Sequence, residues 1–320
     1  MRWFSEFASR IRRGPALGGD AVRAHVAGAT GATDPYVFGF DELEVHALRV
    51  EAPLPHILYH TFGLSRVRSA VPVAGTQTEL TLRVPADTPV PYAWPAEQLA
   101  SMVTQVRRTG NEIAPGHHMR LRGPVTDEAG IEGFTFVTDP ILGVIEPPTG
   151  IVRFTYAVGL TADELEAALS WDPMQFTGVL GDVLPLGITA PQRASILTDP
   201  AVKARVDAGI ARDGSSISAV HAKLLSVDSS GRVDLDPRSA NALIRAARNR
   251  LPHARPFALV RDDAYLLLSP GGEFEAGESH LHLPASNQLV NEILAVFDAT
   301  PGVYRFTTAP VEIHVVDTGT

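Results

Sequence analysis

Residues 204–225, ARVDAGIARDGSSISAVHAKLL, set Asp213, Ser215, Ser216 and His221 within nine positions. An acid, a hydroxyl and an imidazole are the parts of a nucleophilic hydrolase site, provided they meet within hydrogen-bonding distance. Two features count against that here. No G-x-S-x-G elbow surrounds Ser215 or Ser216. Asp-Gly-Ser-Ser is also the composition of a tight turn, in which Asp accepts local backbone bonds and Gly supplies positive φ. If a strand follows the turn, a rise of about 3.3 Å per residue puts His221 more than about 10 Å from Ser216.

The remaining candidates are histidines and glycines. His117 and His118 are adjacent, and neighbours on a strand point to opposite faces. His280 and His282 alternate and so share a face, but two ligands fall short of a zinc site, which takes three or four. The segments GPALGGD and AGATGAT lack the Lys-Ser/Thr ending of a phosphate loop and the spacing of a dinucleotide turn. The residues therefore leave one enzyme reading open: a hydrolase using Asp213, Ser216 and His221, or a metal-dependent enzyme using His280 and His282.

The elements that position these residues follow from periodicity. TELTLRV (78–84) alternates as a strand, with Leu80, Leu82 and Val84 on one face and Glu79, Thr81 and Arg83 on the other. WPAEQLASMVTQVRRTGN (94–111) predicts a helix. Pro95 sits in its first turn, Leu99, Met102, Val103 and Val106 form one stripe, and Gly110 ends it. Residues 14–36 read as a loop, and 43–50, 118–122, 133–138 and 151–158 as strands. Thr161 and Glu164 are spaced as a capping box. Asp199 and Asp236, each followed by Pro, start two further helices, with a strand between them near 217–227. Strands near 256–261 and 264–269, the HLHL segment, a helix over 286–298 and short strands at 303–306 and 311–316 complete the chain. Strands and helices mix without βαβ alternation, which predicts an α+β fold.

The 320 residues are 45% hydrophobic and 20% charged, a soluble globular composition long enough for two domains. With no cysteine, thiolate catalysis and disulfides are excluded. A net charge of −9, acidic on both sides of residue 225, argues against nucleic acid as a partner. No run approaches the roughly 20 apolar residues of a membrane span, so no membrane role is expected. The start, MRWFSEFASRIRRGP, spaces Trp3, Phe4, Phe7 and Ile11 as a helix that packs on the domain.

In order and spacing, several segments resemble the suppressor-of-fused family. They are R-V-D-x-G-I-x-x-D-G-S-x-x-S-x-V-x-A-K (205–223), HTFGLS (60–65), ELTLRVP (79–85), the W-P-A-E helix with the GHHM segment after it, and FVTDPILGVIEPPTGIVRFTYAVGLTADEL (136–165). LVNEILAVFDATPGVYRF near the end resembles it more loosely. The resemblance implies two packed mixed α/β domains: a terminal helix and loop (1–36), an N-terminal domain (37–225) and a smaller α+β domain (226–320). It implies a non-enzymatic, cytoplasmic protein with no cofactor, whose partner is a protein or peptide. The animal member holds a transcription-factor peptide between its domains by strand addition. By that likeness Asp139, in the T-x-D-P segment, would contact the partner. So would the strand Ser218–Leu224, through Ser218, Val220 and Ala222, and His282. The chain lacks the long acidic insertion of the animal protein, as bacterial members do. Those members are associated with polymorphic toxin systems, which implies an immunity protein whose partner is a toxin.

Overall fold

The computed structural model describes residues 19–41, 43–65, 77–110, 112–121, 123, 125–126, 130–147 and 150–318. The helix expected at residues 3–11 lies outside them. The chain divides into two units: residues 1–165 with 177–198, and residues 166–176 with 199–320. Both mix sheets with helices, as an α+β chain should.

Unit 1 holds a sheet of β1 (Tyr36–Phe40), β2 (Leu43–Val50), β3 (His56–Phe62), β4 (Gln77–Pro85), β5 (His118–Arg120), β6 (Ile131–Thr138), β7 (Val144–Ile145) and β8 (Val152–Thr161). The strand order is β1-β2-β3-β4-β8-β6-β5, with β7 also on β8. Only β4 and β8 run parallel; the other pairs are antiparallel. Two helices supply cover for the two faces. Helix α1 (Gly19–Thr30) falls inside the segment expected to be a loop. Its Ala and Gly content hides the signal, but Val22 and Val26, four apart, pack with Leu48, Leu58 and Phe154. Helix α2 (Trp94–Thr109) lays its Leu99, Met102, Val103 and Val106 stripe on Leu80, Leu82, Phe134 and Phe136. It ends at Gly110, whose φ of 71° lets its N–H reach Val106 O at 2.8 Å. Helices α3 (Ala162–Ser170) and α4 (Pro173–Val183) follow β8.

Unit 2 contains α5 (Pro200–Asp213) and two sheets. One is formed by β10 (Leu225–Val227), β11 (Arg232–Leu235), β16 (Gly302–Arg305) and β17 (Glu312–Val315). The other is formed by β9 (Ala219–His221), β12 (Phe257–Arg261), β13 (Ala264–Ser269), β14 (Glu275–Ala276) and β15 (His280–Pro284). Helices α6 (Pro237–Asn249) and α7 (Asn287–Val296) bury Leu243, Ala246, Leu289 and Ile293 with Leu259, Leu266, Leu281 and Ile313. Asp199 and Asp236 cap α5 and α6, each accepting two N–H groups of the first turn.

Two boundaries differ from the sequence reading. The second unit takes over at Asp199 rather than at 226, because residues 199–225 pair with later elements: Ser215 N–H bonds Asn249 O, and β9 joins β12. The single strand expected over 217–227 is two strands in different sheets. Between them the buried Asp236 carboxylate accepts the N–H groups of Lys223 and Leu224, both at 3.0 Å, and turns the chain.

Candidate functional site

The Asp-Gly-Ser-Ser string is a clasp inside unit 2. Asp213 accepts the indole N–H of Trp171 at 2.9 Å and the guanidinium of Arg212 at 2.6 Å. The hydrogen bonds from Arg212 and Trp171 push its carboxyl down to about 2. Ser215 is buried and donates its hydroxyl to Leu169 O at 2.6 Å. Ser216 N–H bonds Trp171 O, also at 2.6 Å, while its side chain is exposed. Gly214, at φ +65°, lies so close to His253 and Asn249 O that an added Cβ would meet them at 2.4 and 2.5 Å. Among the described residues no hydrogen bond joins Asp213, Ser216 and His221 to one another. The bonds that are present make the string a turn that ties α5 to Trp171 and to the end of α6.

The other histidines are likewise dispersed. His280 faces Glu275 at 3.3 Å and stacks on Tyr265, whereas His282 bonds the Ser269 hydroxyl. Among the described residues no group of three or more His, Asp or Glu side chains is placed to hold a metal ion. His117 turns its Nδ1 to Glu112 O.

What the clasp does position is β9. It runs parallel to β12, with Ala219, Val220 and His221 opposite Ala258, Leu259 and Val260. Ala258 N–H reaches Ser218 O and Ala222 N–H reaches Val260 O, both at 2.9 Å. In a strand the backbone groups of alternate residues point to opposite edges. Ser218, Val220 and Ala222 therefore spend their backbone on β12. The residues chosen from the resemblance thus face β12 with their backbone groups. Ala219 and His221, both exposed, present their N–H and C=O groups to the far edge, where no described strand pairs. His221 shares a row with Val260, Tyr265 and His280 on the outer face; His282 lies in the next row, with Ala219, Ala258 and Leu267.

Asp139 is placed differently. It lies just after β6, 1% exposed, and both its carboxylate oxygens accept hydrogen bonds. Oδ1 accepts from Arg83 at 2.7 Å and from the N–H groups of Ile141 and Leu142 at 2.9 and 2.8 Å; Oδ2 accepts from Thr81 at 2.6 Å. Burial opposes both charges. The Arg83 guanidinium nevertheless holds the Asp139 carboxyl below the usual carboxylate range, and Asp139 with Tyr156 holds Arg83 above its ordinary value. The Arg83 guanidinium also lies 4.5 Å from the centre of the Tyr156 ring. This polar stripe continues along the same face of β4 to Glu79. Buried and pushed up by that burial, Glu79 accepts from Thr61, Ser65 and Gly63. The alternation of TELTLRV had put these residues on one face. What it did not show is that the face is buried.

Known proteins match this chain in both sequence and fold. Residues 39–194 match the family model described as Suppressor of fused protein (SUFU). The human Suppressor of fused homolog is 30% identical over 214 residues, 61% of this chain and 44% of that protein. The mouse homolog is 31% identical over 186 residues, 52% of this chain and 38% of its own. The chain thus spans less than half the length of these relatives. The crystal structure of Drosophila Suppressor of Fused covers 96% of this chain and 98% of its own at a TM-score of 0.73 and 18% identity. A Sufu–Fu complex structure aligns over 60% of this chain and 98% of its own at a TM-score of 0.54 and 22% identity. These two likenesses are of fold; in sequence, residues 39–194 resemble the suppressor of fused family, as the human and mouse homologs do over 61% and 52% of the chain.

Proposed function

We propose that this protein is a non-catalytic binding protein that holds an extended segment of a partner protein by strand addition at the open edge of β9. The observation that carries the reading is the pair of exposed residues Ala219 and His221, whose backbone groups face away from β12. Strand addition takes its affinity from such groups and its specificity from the alternating side chains beside them. The Sufu–Fu complex, in which a chain of similar fold is joined to Fu, supports a protein partner. In this proposal Asp139 acts through Arg83 and the Ile141–Leu142 turn, and His282 supplies polarity on the outer face. The finer reading is a cytoplasmic immunity protein whose partner is a toxin. A net charge of −9 suits a basic partner and speeds its association.

The test uses the tagged chain as bait in its native cell, with captured proteins read by mass spectrometry. Ala219→Pro removes only a donor on the open edge, which an edge strand tolerates. The partner captured by the parent chain should be lost or weakened at least about tenfold with this variant, at unchanged thermal stability. Equal capture by both rules out the β9 edge. A captured partner with toxin activity that is silenced on binding supports the immunity reading.

A further inference from the structure

The edge strands of the described sheets are not alike. β5, β10 and β9 are three residues long, β14 two, and β16 ends in Arg305. β1 is five residues, Tyr-Val-Phe-Gly-Phe, with neither charge nor proline, and it ends the eight-stranded sheet of unit 1. Proteins blunt exposed edges with charge, proline or shortness, and β1 has none of these. Tyr36 is 50% exposed and Val37 48%.

The two faces of β1 specify different neighbours. Tyr36, Phe38 and Phe40 stand opposite Ala47, Val45 and Leu43, and Tyr36, Phe38 and Tyr59 form a run of ring contacts. A strand added beside β1 would extend this face with apolar side chains. On the other face Val37 is opposite His46, and Gly39 is opposite Glu44. A Cβ at Gly39 would find nothing within 4 Å. The glycine therefore leaves a gap at the edge, one strand out from the Glu44 carboxylate, which bonds His46 at 3.1 Å. A basic side chain from an added strand could cross that gap toward Glu44. Exposed Asp34, two residues before β1, adds negative charge at its start. An antiparallel second copy would set Asp34 against the Asp41 end of the other strand, like charge on like, between two chains of net charge −9.

We propose that β1 is a second docking edge, which accepts an extended partner segment alternating apolar and basic residues. The probe is a short synthetic peptide alternating valine and lysine, labelled for fluorescence anisotropy, with a valine–glutamate peptide as control. The full chain should bind the lysine peptide at least about tenfold more tightly than the control. Hydrogen exchange should slow at 37–40. Val37→Lys, at an exposed position, should weaken binding about tenfold, and Val37→Glu should not. Ala219→Pro should leave this binding intact, which separates it from the β9 reading. Four results overturn the proposal: equal binding of both peptides, protection at 219–221 instead of 37–40, a β1-dependent dimer by light scattering, or binding that appears only after residues 1–18 are removed. The last two give the edge to a second copy or to the chain's own start.

Discussion

The Arg83–Asp139 pair should be the most sensitive point of unit 1. Both side chains are fully buried, and Arg83 Nε and Nη1 have no hydrogen-bond partner among the described residues. Among the described residues, removing Asp139 would leave the guanidinium against the Tyr156 ring. Breaking a buried pair from one side costs about 3–5 kcal/mol, against a total stability of about 5–15 kcal/mol. Asp139→Ala should sit at the upper end, because Ile141 and Leu142 also lose their acceptor. Asp139→Asn keeps an oxygen for those two N–H groups, so it isolates the charge. Arg83→Met keeps an apolar stem of similar length. In a cycle of Arg83→Met, Asp139→Asn and the double variant, the double should cost about 2 kcal/mol less than the sum of the singles. Urea unfolding supplies the free energies, and hydrogen exchange at β4 and β6 assigns the loss to unit 1. The pH dependence has a definite sign. The carboxyl is held below its ordinary value, so the pair's stabilisation is complete above the unfolded carboxylate pKa, about 3.9. It is lost as pH falls through the folded value. Singles that add to within about 0.5 kcal/mol would show that the two charges do not stabilise each other, and the reasoning would fail.

Three further outcomes follow from single residues. His60, pushed down to about 4 by burial and by His46, is neutral in the folded chain while the unfolded chain protonates near 6.5. Stability should therefore drop by about 3 kcal/mol as pH falls from 6.5 to 4, and His60→Leu should flatten that part of the urea-unfolding profile. Gly214→Ala should destabilise unit 2 by more than about 2 kcal/mol in thermal unfolding, since its Cβ would enter His253 and Asn249 O at a positive φ. Asp236→Ala should cost about 2 kcal/mol or more in the same assay, having removed the cap of α6 and the acceptor for Lys223 and Leu224 together.

How far the fold was legible depended on whether a local pattern carried it. Helix α2 announced itself through Pro95, its Leu99–Val106 stripe and Gly110, all of which act within a few residues. The Asp-Pro starts of α5 and α6 are equally local. Helix α1 was missed because its Gly and Ala content resembles a loop, and only Val22 and Val26 mark its buried side. The unit boundary and the split between β9 and β10 rest on partners far along the chain: Asn249, Val260 and Asp236. No periodicity near residue 220 encodes them.

The same distinction separates the two readings of the Asp-Gly-Ser-Ser string. Composition suggests catalysis because it counts residue types, whereas chemistry needs them to converge. Three polar groups of the string are directed elsewhere: the Asp213 carboxylate to Trp171 and Arg212, the Ser215 hydroxyl to Leu169, the Ser216 amide to Trp171. Those bonds fix the turn from which the chain enters β9, and β12 then takes every second backbone group. What remains on the open side are the groups of Ala219 and His221, on which the proposed strand addition rests. Their phase was not readable beforehand, because a shift of one residue exchanges the two edges of a strand and leaves its composition unchanged. The Ser215 hydroxyl and the Asp213 carboxylate, which first suggested bond-breaking, anchor the turn that sets this phase. A variant that loosens the turn, such as Ser215→Ala, should therefore weaken strand addition at β9 without touching a single residue on its open edge.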